Sequence, residues 1–147
     1  ERRRFEGEAI RLASEGYRVL ALAEGPAAPD LGRRADLEPS GLSFLGYVAM
    51  IDPLRPGVRE AVAACRDAGV KVAMVTGDHK ITAVAIAKDL GLGENGREPT
   101  AVTGRELAEM DEARRAEAVR DTRVFARVAP RQKLEIVEAA RRAGEYV

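Results

Sequence analysis

Hydrophobic and polar positions change their period several times along the chain, and each change predicts an element. Over residues 1–15, Phe5, Ala9, Ile10, Leu12 and Ala13 share one side of a helix while Arg2, Arg3 and Arg4 lie opposite, and Gly16 stops it. Three arginines in the opening turn oppose the macrodipole, so this helix is expected to start further upstream. Residues 17–23, Tyr-Arg-Val-Leu-Ala-Leu-Ala, read as a strand. Periodicity is then lost over 24–40 among Gly25, Pro26, Pro29, Gly32 and Pro39, which predicts a linker and a division of the chain into 1–41 and 42–147.

From Gly41 onward strand-like and helix-like stretches alternate. Residues 42–51 form a long apolar run. The stiff turn Asp52-Pro53-Leu54-Arg55-Pro56 follows and opens a helix at Gly57 or Val58, with Val58, Ala61, Val62, Cys65 and Ala68 inward and Gly69 as its stop. Residues 70–75 alternate as a strand, break at Thr76-Gly77-Asp78 and restart as a helix over 80–90, whose Ala83, Ala85 and Ala87 suit close packing on a sheet. After a loop over 91–99, the pattern predicts a short strand near 100–103, a charged helix over 105–120 with a solvated face of i,i+4 pairs, and a strand over 122–126. A helix over 130–143 with Leu134, Val137 and Ala140 inward and the first residues of a further strand at 145–147 complete the chain. This alternation implies an α/β fold: a parallel sheet with right-handed crossovers and flanking helices.

Composition narrows the classes. Lys plus Arg (24) equals Asp plus Glu (24), so no global field favours nucleic acid or an anionic membrane surface. The single cysteine, Cys65, excludes an intrachain disulfide framework and fits a reducing compartment, where its place on an apolar helix stripe makes it a core thiol. There is no run of eighteen apolar residues and no signal-peptide pattern.

Candidate chemistry gathers where a parallel sheet keeps it, in the loops beyond the carboxyl ends of the strands. Three such loops are expected to open on one crevice: 52–55, 76–78 and 127–133. In the second, a helix opening offers unpaired N–H groups to an anion, Thr76 adds a hydroxyl, Gly77 permits close approach, and Asp78 is the expected N-cap or faces a cation accompanying a phosphate. In the third, Pro130 suits the first helical position, yet Arg131 and Lys133 place two cations where the dipole disfavours them. A bound anion removes that conflict, as does pairing with an acid such as Glu135. His79 is expected to face solvent.

The strings themselves carry a resemblance. Leu-Gly-Tyr-Val-Ala-Met-Ile-Asp-Pro-Leu-Arg (45–55), Met-Val-Thr-Gly-Asp-His-Lys-Ile-Thr-Ala-Val-Ala-Ile-Ala-Lys-Asp-Leu (74–90, within a match over 70–90) and Val-Phe-Ala-Arg-Val-Ala-Pro-Arg-Gln-Lys (124–133) resemble, in order and spacing, the phosphorylation domain of P-type cation-transporting ATPases. Residues 17–23 resemble the last strand of that family's nucleotide-binding domain. The wording is nearest to the calcium-type and sodium/potassium-type pumps. The resemblance implies an incomplete haloacid-dehalogenase-like, Rossmann-like parallel sheet plus an N-terminal helix–strand piece of a second domain. It implies a larger pump in the membrane, this segment on its cytoplasmic side and soluble by itself, using ATP and Mg2+ and forming an aspartyl-phosphate.

By the same resemblance Thr76, Gly77 and Asp78 line the transferred phosphoryl and Lys133 neutralises its charge. Asp52 and Arg55 sit at the hinge, with Arg127 helping there, and Arg18 reaches the nucleotide from the other domain. No metal ligand is expected in this chain, and the transported cation is bound elsewhere in the pump. The expected partners are nucleotide and the pump's remaining domains, not nucleic acid. The family's Asp-Lys-Thr-Gly-Thr nucleophile motif and its Gly-Asp-Gly-X-Asn-Asp motif are absent from these residues. The chain is therefore expected to be an inactive piece of the pump that binds nucleotide or phosphate weakly at most, with no cofactor of its own and with open sheet edges that weaken it or promote self-association. Two other classes compete: a small phosphatase, against which 42–52 ends in Asp-Pro-Leu-Arg rather than Asp-X-Asp, and a non-catalytic interaction module of the same fold.

Overall fold

The computed structural model describes residues 2–26, 40–93 and 97–147. The expected linker falls almost entirely on 27–39, and the middle of the 91–99 loop on 94–96, so both lie outside the described residues. In chain order the elements are α1 (Arg2–Ser14), β1 (Arg18–Glu24), β2 (Ser43–Met50), α2 (Val58–Asp67), β3 (Met74–Val75) and α3 (Lys80–Asp89). β4 (Ala101–Thr103), α4 (Gly104–Glu109), α5 (Glu112–Asp121), β5 (Val124–Ala126) and α6 (Pro130–Arg142) follow.

The centre of the fold is β5. It pairs in parallel with β3 on one side, Met74 beside Val124, and with β4 on the other, Ala101 beside Val124, giving the order β3-β5-β4. A strand covered on both faces needs no polar alternation, and Val124-Phe125-Ala126 is wholly apolar and buried. Val124 and Ala126 face a cluster with Ala83, Ala87, Leu92 and Ala101, onto which Val62 of α2 and Met74 pack. Phe125 points the other way, among Leu107, Val119, Val128, Ile136 and Ala139. Ala83 and Ala87 are fully buried, so the small residues of α3 bring that helix close to the sheet, as the sequence predicts.

Several local expectations are corrected. Residues 42–51 do not join the parallel sheet. β2 pairs along its length, antiparallel, with β1, from Arg18 opposite Met50 to Glu24 opposite Ser43. An apolar run announces a strand but does not name its partner. The strand expected over 70–75 is laddered only at Met74–Val75. The charged stretch 105–120 is two helices, because Asp111 accepts from Arg114 N at 2.8 Å and caps a new start after Met110. The stripe on α6 is rotated: Ile136 and Ala139 are buried, whereas Leu134 is 61% and Val137 37% exposed. Residues 145–147 form no strand, and Glu145 instead pairs with Lys71 at 2.6 Å.

α1 packs on α3 and is tied to the ribbon through aromatic rings. Phe5 and Phe44 lie 4.5 Å apart between centroids, Phe44 and Tyr47 4.9 Å, and the Tyr47 hydroxyl donates to the Phe5 carbonyl at 2.9 Å. Thr82 of α3, buried, donates to the Tyr17 carbonyl at 3.3 Å. These contacts hold the start of β1, and with it Arg18, against the N-terminal end of α3.

Candidate functional site

The carboxyl ends of β3, β4 and β5 form one rim, and the loops beyond them are bonded to one another. Val128 N donates to the Thr76 carbonyl at 3.1 Å and Arg127 N to the Asp78 carbonyl at 3.1 Å, so the 76–78 turn and the start of the 127–133 loop run side by side. The third loop at this rim is Thr103–Gly104 rather than 52–55, because β2 lies outside the sheet. Thr103 caps α4: its hydroxyl accepts from Glu106 N at 3.2 Å, and the Glu106 carboxylate accepts from Thr103 N at 2.6 Å. Lys80, the first residue of α3, donates to both oxygens of Glu106 at 2.9 and 3.2 Å and so ties the openings of α3 and α4 together.

Within the 76–78 turn Thr76 and Asp78 bond to each other. The Thr76 hydroxyl accepts from Asp78 N at 3.1 Å and donates to Asp78 Oδ2 at 2.7 Å. Arg18 Nη2 donates to Asp78 Oδ1 at 2.6 Å, joining the ribbon to the rim across sixty positions of sequence. The Arg18 guanidinium, followed by the Thr76 hydroxyl, holds the Asp78 carboxyl below its ordinary range against the opposing effect of partial burial. Asp78 does not cap α3, contrary to expectation. The N-cap is His79, extended, exposed and without a side-chain bond, because the Asp78 carboxylate is turned toward Arg18 and Thr76.

A cavity of about 470 Å³ opens here, with Arg18, Gly77, Asp78, His79 and Arg127 around an apolar wall from α1, β1 and Ile81. A second cavity of about 260 Å³ shares Arg18 and Asp78 with it and brings in Asp52. The structure thus collects Arg18, Gly77, Asp78 and Arg127, with Asp52 adjoining and Thr76 bonded in the same turn. Arg55 is exposed in the turn before α2 and lines neither cavity. Lys133 lies in the first turn of α6, exposed, lining neither cavity and without an ion pair among the described residues, whereas Arg131 has Glu135 at 3.5 Å. Cys65 is half-buried and unpaired by disulfide.

Two guanidinium groups beside a glycine turn fit a phosphate. Asp78 is engaged by Arg18 and Thr76, and no group of three His, Cys, Asp or Glu able to hold a metal stands together among the described residues.

Two features lay outside the sequence reading. Arg127 adopts a left-handed backbone, φ 52°, unusual for a residue other than glycine. Gln132 bridges two rim loops, its Nε2 donating to the Gly104 carbonyl at 2.6 Å and its Oε1 accepting from Ala129 N at 3.0 Å. A glutamine three residues after a helix N-cap was the available signal for the second of these bonds.

The Glu106 carboxyl is held down to about 2 from 4.5, first by Lys80 and then by the Thr103 amide. A depressed carboxyl contributes stability that is fully present above the unfolded value of 4.5 and disappears as pH falls through about 2. Glu106→Gln is expected to cost roughly 0.5–1 kcal/mol near neutral pH, at the low end for a capping group because the carboxylate is partly screened by solvent. Urea midpoints of both chains, followed toward acid, should converge. A gap that stays undiminished or widens as pH falls from 4.5 to about 2 contradicts this role.

The family model for haloacid dehalogenase-like hydrolases matches residues 3–147. A cation-transporting ATPase, pma1, of Synechocystis sp. is 46% identical over the whole of this chain, and the match covers 16% of that protein. The calcium-transporting ATPase of Bacillus subtilis is 40% identical over 99% of the chain and 16% of its own length. The human calcium-transporting ATPase type 2C member 1 is 41% identical over 97% of the chain and 14% of its own length. The chain therefore spans about one sixth of the curated relatives it matches.

Proposed function

The chain belongs to the haloacid dehalogenase-like hydrolases, and from that premise we propose that it is the segment of an ATP-driven cation pump where the end of the nucleotide-binding domain meets the phosphorylation domain. The observation that supports this reading best is the meeting of Arg18, from the ribbon, with Gly77, Asp78 and Arg127, from the rim, around one cavity. A polyphosphate spanning two structural units needs cations from both sides, and this cavity has one from each. The relatives whose names state cation or calcium transport by an ATPase support the same reading.

In this reading Arg18 and Arg127 hold phosphate oxygens and the Gly77 backbone lets them approach. Asp52 borders the hinge, and Lys133, free of ion pairs among the described residues, supplies charge to the transferred group. Arg55 takes part only through a movement that carries its turn toward the rim. The nucleophile and the Mg2+ ligands come from residues other than these, so the chain alone binds phosphate weakly and forms no phosphoenzyme. No described helix is long and apolar enough to cross a membrane, and we place this segment on the cytoplasmic side of the pump.

Titration of the isotope-labelled chain with inorganic phosphate, with and without Mg2+, tests the reading. Amide signals of Thr76, Gly77, Asp78 and Arg127 should move together, with a dissociation constant in the millimolar range, about 4 kcal/mol of binding. ATP turnover should stay at the blank. Absence of shifts at saturating phosphate overturns the site, and turnover that depends on Asp78 overturns the assignment of the nucleophile elsewhere.

A further inference from the structure

Arg127 is the described residue, other than glycine, whose backbone is left-handed, and it sits where β5 leaves the sheet. A conformation that L-residues avoid persists only where the surroundings fix it. Here both sides are fixed. Before and around it, Arg127 N donates to the Asp78 carbonyl at 3.1 Å and Val128 N to the Thr76 carbonyl at 3.1 Å. After it, Ala129 N is taken up by Gln132 Oε1 at 3.0 Å, while Gln132 Nε2 donates to the Gly104 carbonyl at 2.6 Å. Gly104 explains why these groups can be so close. A β-carbon built there would lie 2.4 Å from Gln132 Oε1 and 2.6 Å from the Arg127 carbonyl oxygen. Gly104 is buried, at the first residue of α4, and any side chain would push away both the bridging amide and the strained carbonyl.

We infer that Gln132 and Gly104 are positioning residues: the Gln132 amide, seated against Gly104, holds Arg127 in its left-handed conformation and so keeps the Arg127 side chain at the rim cavity. This deepens the phosphate reading and rests on it for the role of Arg127. Gln132 lines neither cavity; it acts through the loop between β5 and α6.

The experiment uses the labelled chain with Gln132→Glu, which keeps an acceptor for Ala129 N but cannot donate to the Gly104 carbonyl when ionised, and Gln132→Met, which keeps the length and loses both bonds. The first readout needs no ligand: the strong amide-to-Hα cross-peak within Arg127 that a left-handed residue gives. The second is the affinity for inorganic phosphate. Both variants are expected to lose the cross-peak, and phosphate affinity should fall by about tenfold, as for one charge-assisted hydrogen bond. A purely structural role would lower the unfolding midpoint while leaving the Arg127 cross-peak and the phosphate affinity of the folded chain unchanged. If either variant folds with both readouts as in wild type, the inference is overturned. If wild type itself binds no phosphate but the cross-peak is lost in the variants, the positioning stands and the phosphate reading falls.

Discussion

Replacing Phe125 by alanine is expected to lower the stability of the chain by about 3–5 kcal/mol, the cost of emptying a large core site that cannot collapse. Phe125 is 1% exposed and lies on the central strand, so its ring is packed from three helices at once, through Leu107, Val119, Ile136 and Ala139. The strand on either side holds it in register, which prevents the neighbours from closing the void. A small domain has about 5–15 kcal/mol in total, and this one divides its burial between two modest clusters, so the variant should be largely unfolded in mild denaturant. Phe5→Ala is the contrast: that ring is 38% exposed and its identified ring partner is Phe44, so the loss should be roughly 1 kcal/mol. Urea unfolding by circular dichroism measures both. A loss below about 1 kcal/mol for Phe125→Ala would show that the two faces of the sheet do not depend on β5.

The succession of elements was legible because it is written locally. Alternation of period, glycine stops and the proline at the start of α6 each act within a few residues, and apart from the split stretch 105–120 they place the helices to within a residue or two. Pairing was not legible, because a strand's partner is chosen by the whole fold. The apolar run at 43–50 would suit the parallel sheet as well as the ribbon it joins. On α6, Leu134, Ile136, Val137, Ala139 and Ala140 supply apolar groups over more than half the circumference, and a rotation of about 100° separates the expected stripe from the observed one. The same division runs through the site. Thr76, Gly77 and Asp78 are contiguous and could be read as a turn, and Arg127 and Lys133 lie on one loop and helix opening. The ion pair from Arg18 to Asp78 and the bridge from Gln132 to Gly104 join residues 60 and 28 positions apart, and no local pattern encodes them. Asp78 illustrates the consequence: the sequence gives it the features of a helix cap, and a partner from the other side of the molecule takes it away.

Arg127→Gly should separate strain from function at the rim. The left-handed backbone at φ 52° costs an arginine about 1–2 kcal/mol that glycine does not incur, while glycine loosens the unfolded chain by about 0.4–1 kcal/mol. The difference predicts a folded chain at least as stable as wild type, gaining up to about 1.6 kcal/mol. Phosphate affinity should move the other way, falling about tenfold to a hundredfold with the loss of a charge-assisted hydrogen bond of about 1.5–3 kcal/mol. Arg127→Ala completes the comparison, since alanine removes the same guanidinium but retains the backbone strain. Its affinity should match that of the glycine variant and its stability should lie below it. Thermal unfolding and phosphate titration of the three chains give four comparisons, and they need not agree unless the picture is right. Equal stability of the alanine and glycine variants would mean that the turn relaxes away from the left-handed region once the side chain is gone. Wild-type affinity in either variant would mean that the guanidinium at the cavity mouth does not meet the anion, leaving Arg18 as the cation the phosphate must find.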